Sequence, residues 1–544
     1  MPGVVPSAQG GYHSGGRPLV PDDVPGDQVP GRDQVPGRGL PAERGGKTRA
    51  GRPDRKRPGA IGGVAPQVAG GHGPFAVGED VEVTIEDAAQ GGWCVARPEG
   101  LPVMFVRHAL PGEQVVARVT EVTSKFARAD AVRILRSSPD RVDAPCPHAR
   151  PGGCGGCDWQ HASLPAQRAL KATVITQQLR RLAGIDRAVT VEPLPGDEPT
   201  PQPPDPNVTG TGGTAGLGWR TRVQFAVDRD GVAGLRGHRS HRVIDIGDCL
   251  IAHQGVRDLD IPGDDWSGAT MVEVAVGGAE SIENFAVTVI EGEARQEEKQ
   301  KVKGRSRPNG SRRLSRPRRT LVEGRPYLAE QAARRLWQVS ADGFWQVHPA
   351  AADTLGQAVL QALGPKPGDT VLDLYCGAGL FAGVLAPFVG PDGAVTGVES
   401  DAAAVKTARQ NLSDYPQVSF LKADVAQAAS SGDLPPARLV IADPPRAGLA
   451  REVTDYFTGD GLTGGKSAER FAYVSCDPAT LARDLALLTA GGWHLEGLRA
   501  FDAFPMTHHV ECVATLTRSL APAAPLSVPA LAGRDAETAE AAGD

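Results

Sequence analysis

The segment "VLDLYCGAGLF", residues 371–381, decides the fold of the C-terminal part of this chain. An apolar run carries an acid, Asp373, and then leads through a turn with Gly377 and Gly379 into a second apolar stretch of helical character. In open α/β sheets, a glycine-rich turn after a strand lets the backbone approach a bound nucleotide. We therefore predict a strand, a ligand-binding turn and a helix over these residues.

The sequence around this segment repeats the same alternation of strand and helix. Apolar strand-like runs separated by helical stretches occupy residues 346–517, and they read "TVLDLYC", "AVTGVES", "VSFLKAD", "ARLVIADPP", "RFAYVSC" and "HHVECVATL". Strands that alternate with helices form parallel βαβ units. The pattern predicts an α/β fold with an open, doubly wound sheet.

The ligand at the turn is a nucleoside rather than a dinucleotide. Glu399 ends the second strand, where an acid accepts hydrogen bonds from ribose hydroxyls. A dinucleotide motif requires a third glycine, and Ala382 stands at that position. The acid before the turn favours the class I methyltransferase fold, whose ligand S-adenosyl-L-methionine has no pyrophosphate.

Two later strand ends indicate the reaction. Asp443 precedes paired prolines in "IADPPRAGL", but Arg446 stands where enzymes that methylate amino groups carry an aromatic residue, so an exocyclic amine is disfavoured as the target. Cys476 ends the next strand in "YVSCDPATLARDL", before a helix whose first amides and dipole are expected to favour a thiolate. Glu511 follows in "FPMTHHVE". A thiolate and a carboxylate base are what methylation at C5 of a pyrimidine needs; a buried structural cysteine is the ordinary alternative.

The rest of the chain divides by composition. Residues 1–75 and 518–544 are rich in Gly, Pro or Ala and are predicted to be disordered. Residues 76–137 read as short strands with Gly and Pro turns, which predicts an OB-like β-barrel. Residues 138–345 are predicted to form a central α+β domain with a disordered basic insert at 294–320, which is either a solvated loop or an arm that contacts RNA.

A cluster of cysteines lies in the central region. It reads "CPHARPGGCGGC" and contributes Cys146, Cys154 and Cys157, with Cys249 as a distant fourth thiol. Thiolates with one C-x-x-C suit zinc or an iron-sulfur cluster, and unliganded thiols are the alternative. The spacing differs from the C-x-x-x-C-x-x-C of radical S-adenosylmethionine enzymes.

Several of these motifs occur together, in one order, in a known family. "DLYCGAGLF", "DPPRAG", "YVSCDPATLARDL" and "FPMTHHVE" resemble the RNA (uracil-5-)-methyltransferases that form 5-methyluridine in tRNA and 23S rRNA. The Gly-Gly-Trp corner, the "VMFV" strand and Arg128 resemble their TRAM domain. This resemblance implies that Cys476 is the nucleophile and Glu511 the base. It also implies a 4Fe-4S cluster on the four cysteines and a site for S-adenosyl-L-methionine lined by Gln346, Tyr375, Gly377, Gly379, Glu399, Asp424 and Asp443.

The expected partner is RNA, either 23S rRNA or tRNA. The net charge of −6 argues against a uniformly basic surface, so contacts with RNA should be regional. We expect a cytoplasmic monomer without membrane contact, since no signal-like or membrane-spanning run is present. Two alternatives remain: a cytosine C5 methyltransferase of RNA, and a non-catalytic RNA-binding protein with a metal cluster. The family usually has Asn at the position of Asp477, whose charge is expected to oppose thiolate formation.

Overall fold

A computed structural model describes residues 75–198, 215–279, 284–292, 317–459 and 464–518. These residues belong to one body of the chain, Gly71–Asp544. The two terminal tails and nearly all of the basic insert, which the sequence predicts to be disordered, lie outside the described ranges. Within those ranges, no helix has both the length and the apolar character required to cross a bilayer.

The N-terminal strands form a curved six-stranded sheet. The strands are β1 (Asp80–Thr84), β2 (Asp87–Ala89), β3 (Trp93–Ala96), β4 (Val103–Arg107), β5 (Gln114–Val122) and β6 (Phe126–Arg136). Their order is β1-β5-β6-β4-β3-β2, and only β4 and β6 run parallel. Bulges where β5 pairs with β6 increase the twist of the sheet around a small apolar core. The predicted OB-like barrel is confirmed.

The chain then crosses to the C-terminal sheet before it builds the central one. Helix α1 (Leu164–Gln178) begins at Ser163, whose side chain accepts a hydrogen bond from the amide of Ala166, and it continues as a π-helical turn (Leu179–Ala183). Strand β7 (Val191–Pro193) pairs in parallel with an edge strand of the C-terminal sheet. This early segment therefore packs with the C-terminal part of the protein.

An antiparallel sheet forms the centre of the chain. It contains β8 (Arg222–Val227), β9 (Ala233–Arg236), β10 (Val243–Ile244), β11 (Met271–Val276), β12 (Phe285–Glu291) and β13 (Arg318–Gly324), in the order β10-β9-β8-β11-β12-β13. A short helix α2 (Gln254–Arg257) and a 3₁₀ turn (Ile261–Gly263) precede β11. A separate hairpin, β14 (Tyr327–Ala332) and β15 (Arg335–Ser340), buries Trp337 in the core of the C-terminal sheet.

The C-terminal sheet has helices on both faces. Its elements are α3 (Ala351–Leu363), β16 (Thr370–Leu374), α4 (Leu380–Val389), β17 (Ala394–Glu399), α5 (Ala402–Asn411), β18 (Val418–Lys422), α6 (Val425–Ser431), β19 (Leu439–Ala442), α7 (Arg451–Thr458), a 3₁₀ turn (Gly464–Ser467), β20 (Arg470–Ser475), α8 (Pro478–Ala490), β21 (His494–Asp502) and β22 (Glu511–Thr517). The strand order is β18-β17-β16-β19-β20-β22-β21-β7. Two apolar cores cover the two faces, which confirms the doubly wound α/β fold.

One strand departs from the predicted parallel pattern. Strand β22 follows β21 through a loop without a helix, so it returns antiparallel and lies between β20 and β21. An antiparallel strand begins at the edge where the parallel strands end. The first residue of β22, Glu511, therefore lies at the carboxyl edge of the parallel strands, where open sheets bind their ligands.

Candidate active site

The glycine-rich turn after β16 is held by the acid that precedes it. The Oδ2 atom of Asp373 accepts a hydrogen bond of 2.9 Å from the amide of Ala382 in α4. The backbone between them turns through positive φ angles at Tyr375 (62°), Gly377 (52°) and Gly379 (92°). Glycine adopts such angles without strain, whereas tyrosine does so at a cost of order 1–3 kcal/mol. Such strain persists only where the surrounding contacts hold the backbone in place, and it is typical of ligand sites.

Glu399 closes the other side of this turn. Its Oε2 atom accepts a hydrogen bond of 3.2 Å from the amide of Gly377, and its Oε1 atom accepts one of 2.8 Å from the amide of Asp401. Asp424, beyond the next strand, caps α6 through the amide of Gln427 at 2.9 Å. The predicted residues Glu399 and Asp424 thus end or follow neighbouring strands.

Acidic groups converge at the point where the strand order reverses, between β16 and β19. The pKa of Asp373 is raised to about 8, chiefly by burial and also by the nearby charges of Asp443 and Glu399, against the opposing effect of the hydrogen bond from Ala382. Burial likewise raises the pKa of Asp443 to about 7. The Oδ1 atom of Asp373 is buried and has no hydrogen-bond partner among the described residues.

This charge pattern fits a cation. A pyrophosphate would add negative charge beside carboxylates that already repel one another, whereas a sulfonium or an ammonium group would relieve that repulsion. The residues present therefore suit S-adenosyl-L-methionine better than a dinucleotide. Tyr375 is half-buried beside them, and burial raises its pKa to about 12. Gln346 is buried between β15 and α3, and no hydrogen bond among the described residues joins it to Asp373, Glu399 or Asp443.

The neighbouring strands bring a thiol and a carboxyl group together. Ser475 at the end of β20 pairs with Cys512 of β22, so that Cys476 and Glu511 are the next residues at this edge. Glu511 is buried, and its pKa lies well above the usual value because of burial and the charge of Asp443, against the opposing effect of Arg446. The predicted pair Cys476 and Glu511 shares one site with Asp443.

The expectation that the pKa of Cys476 is lowered is wrong. The pKa of this thiol is raised to about 12, chiefly by burial and also by the charges of Glu511, Asp443 and Asp477, against the opposing effect of Arg446. The first amides of α8 are already engaged, because Oδ1 of Asp477 accepts hydrogen bonds of 2.9 Å from Ala479 and Thr480. This cap stabilises the helix by about 0.5–2 kcal/mol and leaves less of its field for the thiol.

Arg446 is a cation beside Cys476 and Glu511. It is exposed, its Nη2 atom lies 3.4 Å from Nε2 of His509, and it lowers the pKa of both Cys476 and Glu511. The sequence suggests only that Arg446 replaces an aromatic residue. The sequence signal that could have identified it is an arginine three residues after Asp443, in the loop that follows the strand next to that of Cys476.

The barrel reaches this site through the turn between β2 and β3. The Nε2 atom of Gln90 donates a hydrogen bond of 3.1 Å to Oδ2 of Asp477, the residue after Cys476. Two positions later, Gly92 packs against Asp158, which accepts hydrogen bonds from the amide (3.1 Å) and Nδ1 (2.6 Å) of His508. No local pattern predicts these contacts, because Gln90 and Asp477 are 387 residues apart in the chain, and Asp158 and His508 are 350 apart.

The same turn borders a basic and aromatic surface. The guanidinium of Arg128 lies 5.6 Å from the ring centre of Trp93 and 4.7 Å from that of Phe126. The ring of Trp93 meets His238 edge to face at 5.5 Å. A cavity beside His238 is lined by three arginines, Arg220, Arg236 and Arg239, and by His241. Aromatic rings among cations are typical of surfaces that bind single-stranded nucleic acid.

The four predicted metal ligands line one cavity. Cys146, Cys154, Cys157 and Cys249 surround it together with apolar side chains such as Ile246 and Ile251. No group of three or more His, Cys, Asp or Glu side chains within the described ranges has the arrangement that holds a single metal ion. The four thiols line one cavity, but they do not form a group that could hold a metal ion, so the described residues do not support a metal centre here.

Comparisons with known proteins agree with this architecture. Residues 74–132 match the sequence model of the TRAM domain, residues 365–441 that of a methyltransferase domain, and residues 436–519 that of tRNA (Uracil-5-)-methyltransferase. An uncharacterized RNA methyltransferase of Streptomyces coelicolor is 46% identical over 450 residues, which are 81% of this chain and 93% of the relative. A similar relative from Bifidobacterium longum is 33% identical and covers 80% of this chain and 96% of its own length.

A solved structure shows the same fold. The crystal structure of Pyrococcus abyssi tRNA (uracil-54, C5)-methyltransferase with S-adenosyl-L-homocysteine matches with a TM-score of 0.55 and 23% identity. The match covers 80% of this chain and all of that one. With the fold, the ordered motifs and the relatives in agreement, the chain belongs to the RNA (uracil-5-)-methyltransferase family with an N-terminal TRAM domain.

Proposed function

We propose that this RNA methyltransferase transfers a methyl group from S-adenosyl-L-methionine to C5 of uracil through a covalent adduct with Cys476. The observation that carries the proposal is the placement of Cys476 and Glu511 beside each other at the ligand edge, which results from the antiparallel β22. C5 of a pyrimidine is a poor nucleophile until a group adds at C6 and creates an enolate. A cysteine and an acid next to a cofactor site supply the two functions that this chemistry needs.

In this mechanism, the thiol of Cys476 gives its proton to water, and the thiolate sulfur bonds to C6 of the uracil, which turns the C5–C6 double bond into an enolate. Carbon C5 of the enolate then bonds to the methyl group, and S-adenosyl-L-homocysteine leaves. S-adenosyl-L-methionine supplies that methyl group as an electrophile. Glu511 as carboxylate then removes the proton from C5, which restores the C5–C6 double bond and releases the cysteine. The high pKa of the Cys476 thiol requires that RNA binding and Arg446 favour the thiolate when the substrate is present.

The cofactor site is proposed to lie on the carboxylates of the sheet edge. Glu399 and Asp424 would face the nucleoside, and Asp443 and Asp373 would face the cationic end, with Gly377 and Gly379 giving the close backbone approach. Tyr375 and Gln346 complete the proposed lining. The argument for this placement is the excess of negative charge at the strand ends, which a cationic ligand relieves.

The RNA is proposed to enter along the surface of Trp93, Arg128, His238 and Arg239. Reaching C5 requires the target base to leave its stack, at a cost of a few kcal/mol, so loops and bulges in tRNA or 23S rRNA are the favoured substrates. Stacking on an aromatic ring and pairing of arginine with phosphate would offset part of this cost.

A 4Fe-4S cluster on Cys146, Cys154, Cys157 and Cys249 is part of the proposal. Its support is that the four thiols share one cavity and that cysteine thiolates hold iron-sulfur clusters. Anaerobically purified protein is expected to be brown and to contain about four irons per chain. Colourless protein with one zinc per chain would refute the cluster and leave the methylation chemistry standing.

The test of the function is to map the product. Purified protein and S-adenosyl-L-methionine are incubated with tRNA and with 23S rRNA transcripts, and nucleosides are separated by mass spectrometry. We expect 5-methyluridine and no 5-methylcytidine. Formation of 5-methylcytidine would instead support the cytosine C5 alternative, and the absence of any methylation with all RNAs would support the non-catalytic alternative.

A further inference from the structure

The barrel turn with Gln90 and Gly92 contacts the loop of the proposed nucleophile directly and the loop before the proposed base through Asp158. On one side, the Nε2 atom of Gln90 donates to Oδ2 of Asp477 at 3.1 Å. On the other side, Gly92 lies against Asp158, which holds His508 three positions before Glu511. A turn of the RNA-binding barrel is thus built into the support of the reaction site.

The contact with Asp477 is specific. Both oxygens of this carboxylate are used, because Oδ1 caps α8 and Oδ2 faces Gln90. A carboxylate only accepts hydrogen bonds, so the amide nitrogen of Gln90 must face it. Oε1 of Gln90 is then left buried with no partner among the described residues. The pairing with Asp477 therefore fixes the orientation of the Gln90 amide at the cost of an unsatisfied atom.

Asp477 is in turn locked to the residue on the other side of Cys476. Oγ of Ser475 lies 3.4 Å from the amide of Asp477 and 3.3 Å from its carbonyl oxygen. The position of the Cys476 sulfur therefore depends on a loop whose outer anchor is Gln90.

The space around Gly92, on the side of the turn that faces Asp158, is also restricted. Gly92 has a φ of 78°, and a Cβ atom there would come within 2.6 Å of Cγ of Asp158. Asp158 also pairs with Arg107 of the barrel at 3.2 Å, with both side chains buried. The barrel cannot shift at this turn without disturbing Asp158 and its hydrogen bonds to His508.

We propose that Gln90 is a positioning residue of the methylation reaction, which holds Asp477 and through it sets the position and the charge environment of Cys476. This inference rests on the proposed function. The charged groups that face Cys476 are Glu511 from β22, Asp443 and Arg446 from the loop after β19, and Asp477 from its own loop. The amide of Gln90 offsets part of the Asp477 charge. Because Gln90 belongs to the barrel, the position of the barrel influences the reactivity of the thiol.

The experiment compares Gln90→Ala with Gln114→Ala, which removes the same side chain from an exposed position of the same barrel. For Gln90→Ala we expect kcat to fall about tenfold, as the loss of a hydrogen bond to a charged group predicts, with KM for RNA within about twofold. The rising limb of kcat against pH should move to higher pH, because the Asp477 charge is less well offset. Gln114→Ala should match the wild type.

A double variant distinguishes an effect on the charge near Cys476 from an effect on protein stability. Adding Asp477→Asn to Gln90→Ala removes the charge that needs a partner, and Asn caps helices as well as Asp does. The double variant should return the pH limb to the wild-type position or below it. A merely structural role for Gln90 would lower the melting temperature and leave the pH profile unmoved, and that result would overturn the proposal.

Two further results would also overturn it: an unchanged kcat in Gln90→Ala, or a rise in KM for RNA alone. Cys476→Ala is assayed in parallel, so that the two proposals can fail separately. Activity in Cys476→Ala would contradict the proposed function itself. An inactive Cys476→Ala beside an unaffected Gln90→Ala would contradict only the role of Gln90.

Discussion

The cofactor half and the reaction half of the C-terminal sheet edge are built in different ways. The cofactor half comes from consecutive elements, since Asp373, Gly377 and Glu399 lie within one βαβ unit and hydrogen-bond locally. The reaction half combines the loop after β19, the loop after β20, the start of β22 and a turn of the barrel. The contrast teaches that the first half follows from local sequence, whereas the second depends on how distant segments dock.

The substitution with the largest expected effect should abolish the function of the reaction half and leave that of the cofactor half intact. Cys476→Ala should lower turnover at least about a thousandfold, an order of magnitude typical for loss of a nucleophile, because Cys476 supplies the group that adds to C6. Its affinity for S-adenosyl-L-methionine should stay within about twofold, since the thiol contacts the base. Single-turnover kinetics and calorimetric titration measure the two quantities. Retention of more than a few per cent of the rate would remove Cys476 from the mechanism.

Arg446→Gln should slow the reaction half by about tenfold near neutral pH. The guanidinium lowers the pKa of Cys476, so its removal leaves less thiolate at a given pH. The rising limb of the pH–rate profile should therefore shift to higher pH. Arg451→Gln serves as the control, because Arg451 is exposed and pairs with Asp455 on α7. Equal profiles for both variants would contradict a counter-charge role for Arg446.

The cofactor half is tested by Glu399→Gln. This change weakens the acceptor for the amide of Gly377 and removes a charge that favours a cationic nucleoside. We expect the Kd for S-adenosyl-L-methionine to rise about tenfold, while kcat at saturating cofactor changes little. Glu452→Gln on the exposed face of α7 is the matched control. A fall in kcat without a change in Kd would place Glu399 in the reaction half instead.

Asp373 gives a pH dependence of stability. Its folded pKa of about 8 lies above the ordinary carboxyl value of 3.8, so the folded state binds the proton more tightly than the unfolded state does. The free energy of unfolding of the cofactor-free protein should therefore fall as pH rises from about 4 to 8. Asp373→Asn should flatten this slope, and Asp392→Asn, at an exposed turn, should not. Urea titrations across this pH range measure the slope, and a rising slope in the wild type would contradict the assignment.

The sequence predicts the cofactor half better than the reaction half for a physical reason. Strand ends and glycine turns are short-range patterns, and they place Asp373, Glu399 and Asp443 correctly at one edge. The burial of Cys476 and the position of Glu511 beside it depend on the packing of distant strands, so the helix start alone predicts a lowered pKa for this thiol, whereas its pKa is raised. The contact of Gln90 with Asp477 links positions 387 residues apart, which no periodicity indicates.

Packing against Trp337 explains why a glycine stands at position 383, shortly after the glycine-rich turn. Gly383 is out of register for a dinucleotide motif, and in the structure it makes room for Trp337, whose ring would collide with any Cβ atom at this position. Trp337 comes from the β14–β15 hairpin, which lies before the predicted start of the C-terminal domain. A glycine close to a binding motif can thus be required by a distant side chain rather than by the ligand.

The most direct test of the central claim is to trap the covalent adduct. RNA that contains 5-fluorouridine carries a fluorine at C5, which cannot leave as a proton, so the reaction should stop after methyl transfer with Cys476 still bonded to C6. The account predicts a protein–RNA complex that depends on S-adenosyl-L-methionine, survives a denaturing gel, forms with the wild type and with Gln114→Ala, and is absent with Cys476→Ala. Absence of the complex from the wild type, or its undiminished formation by Cys476→Ala, would contradict the account.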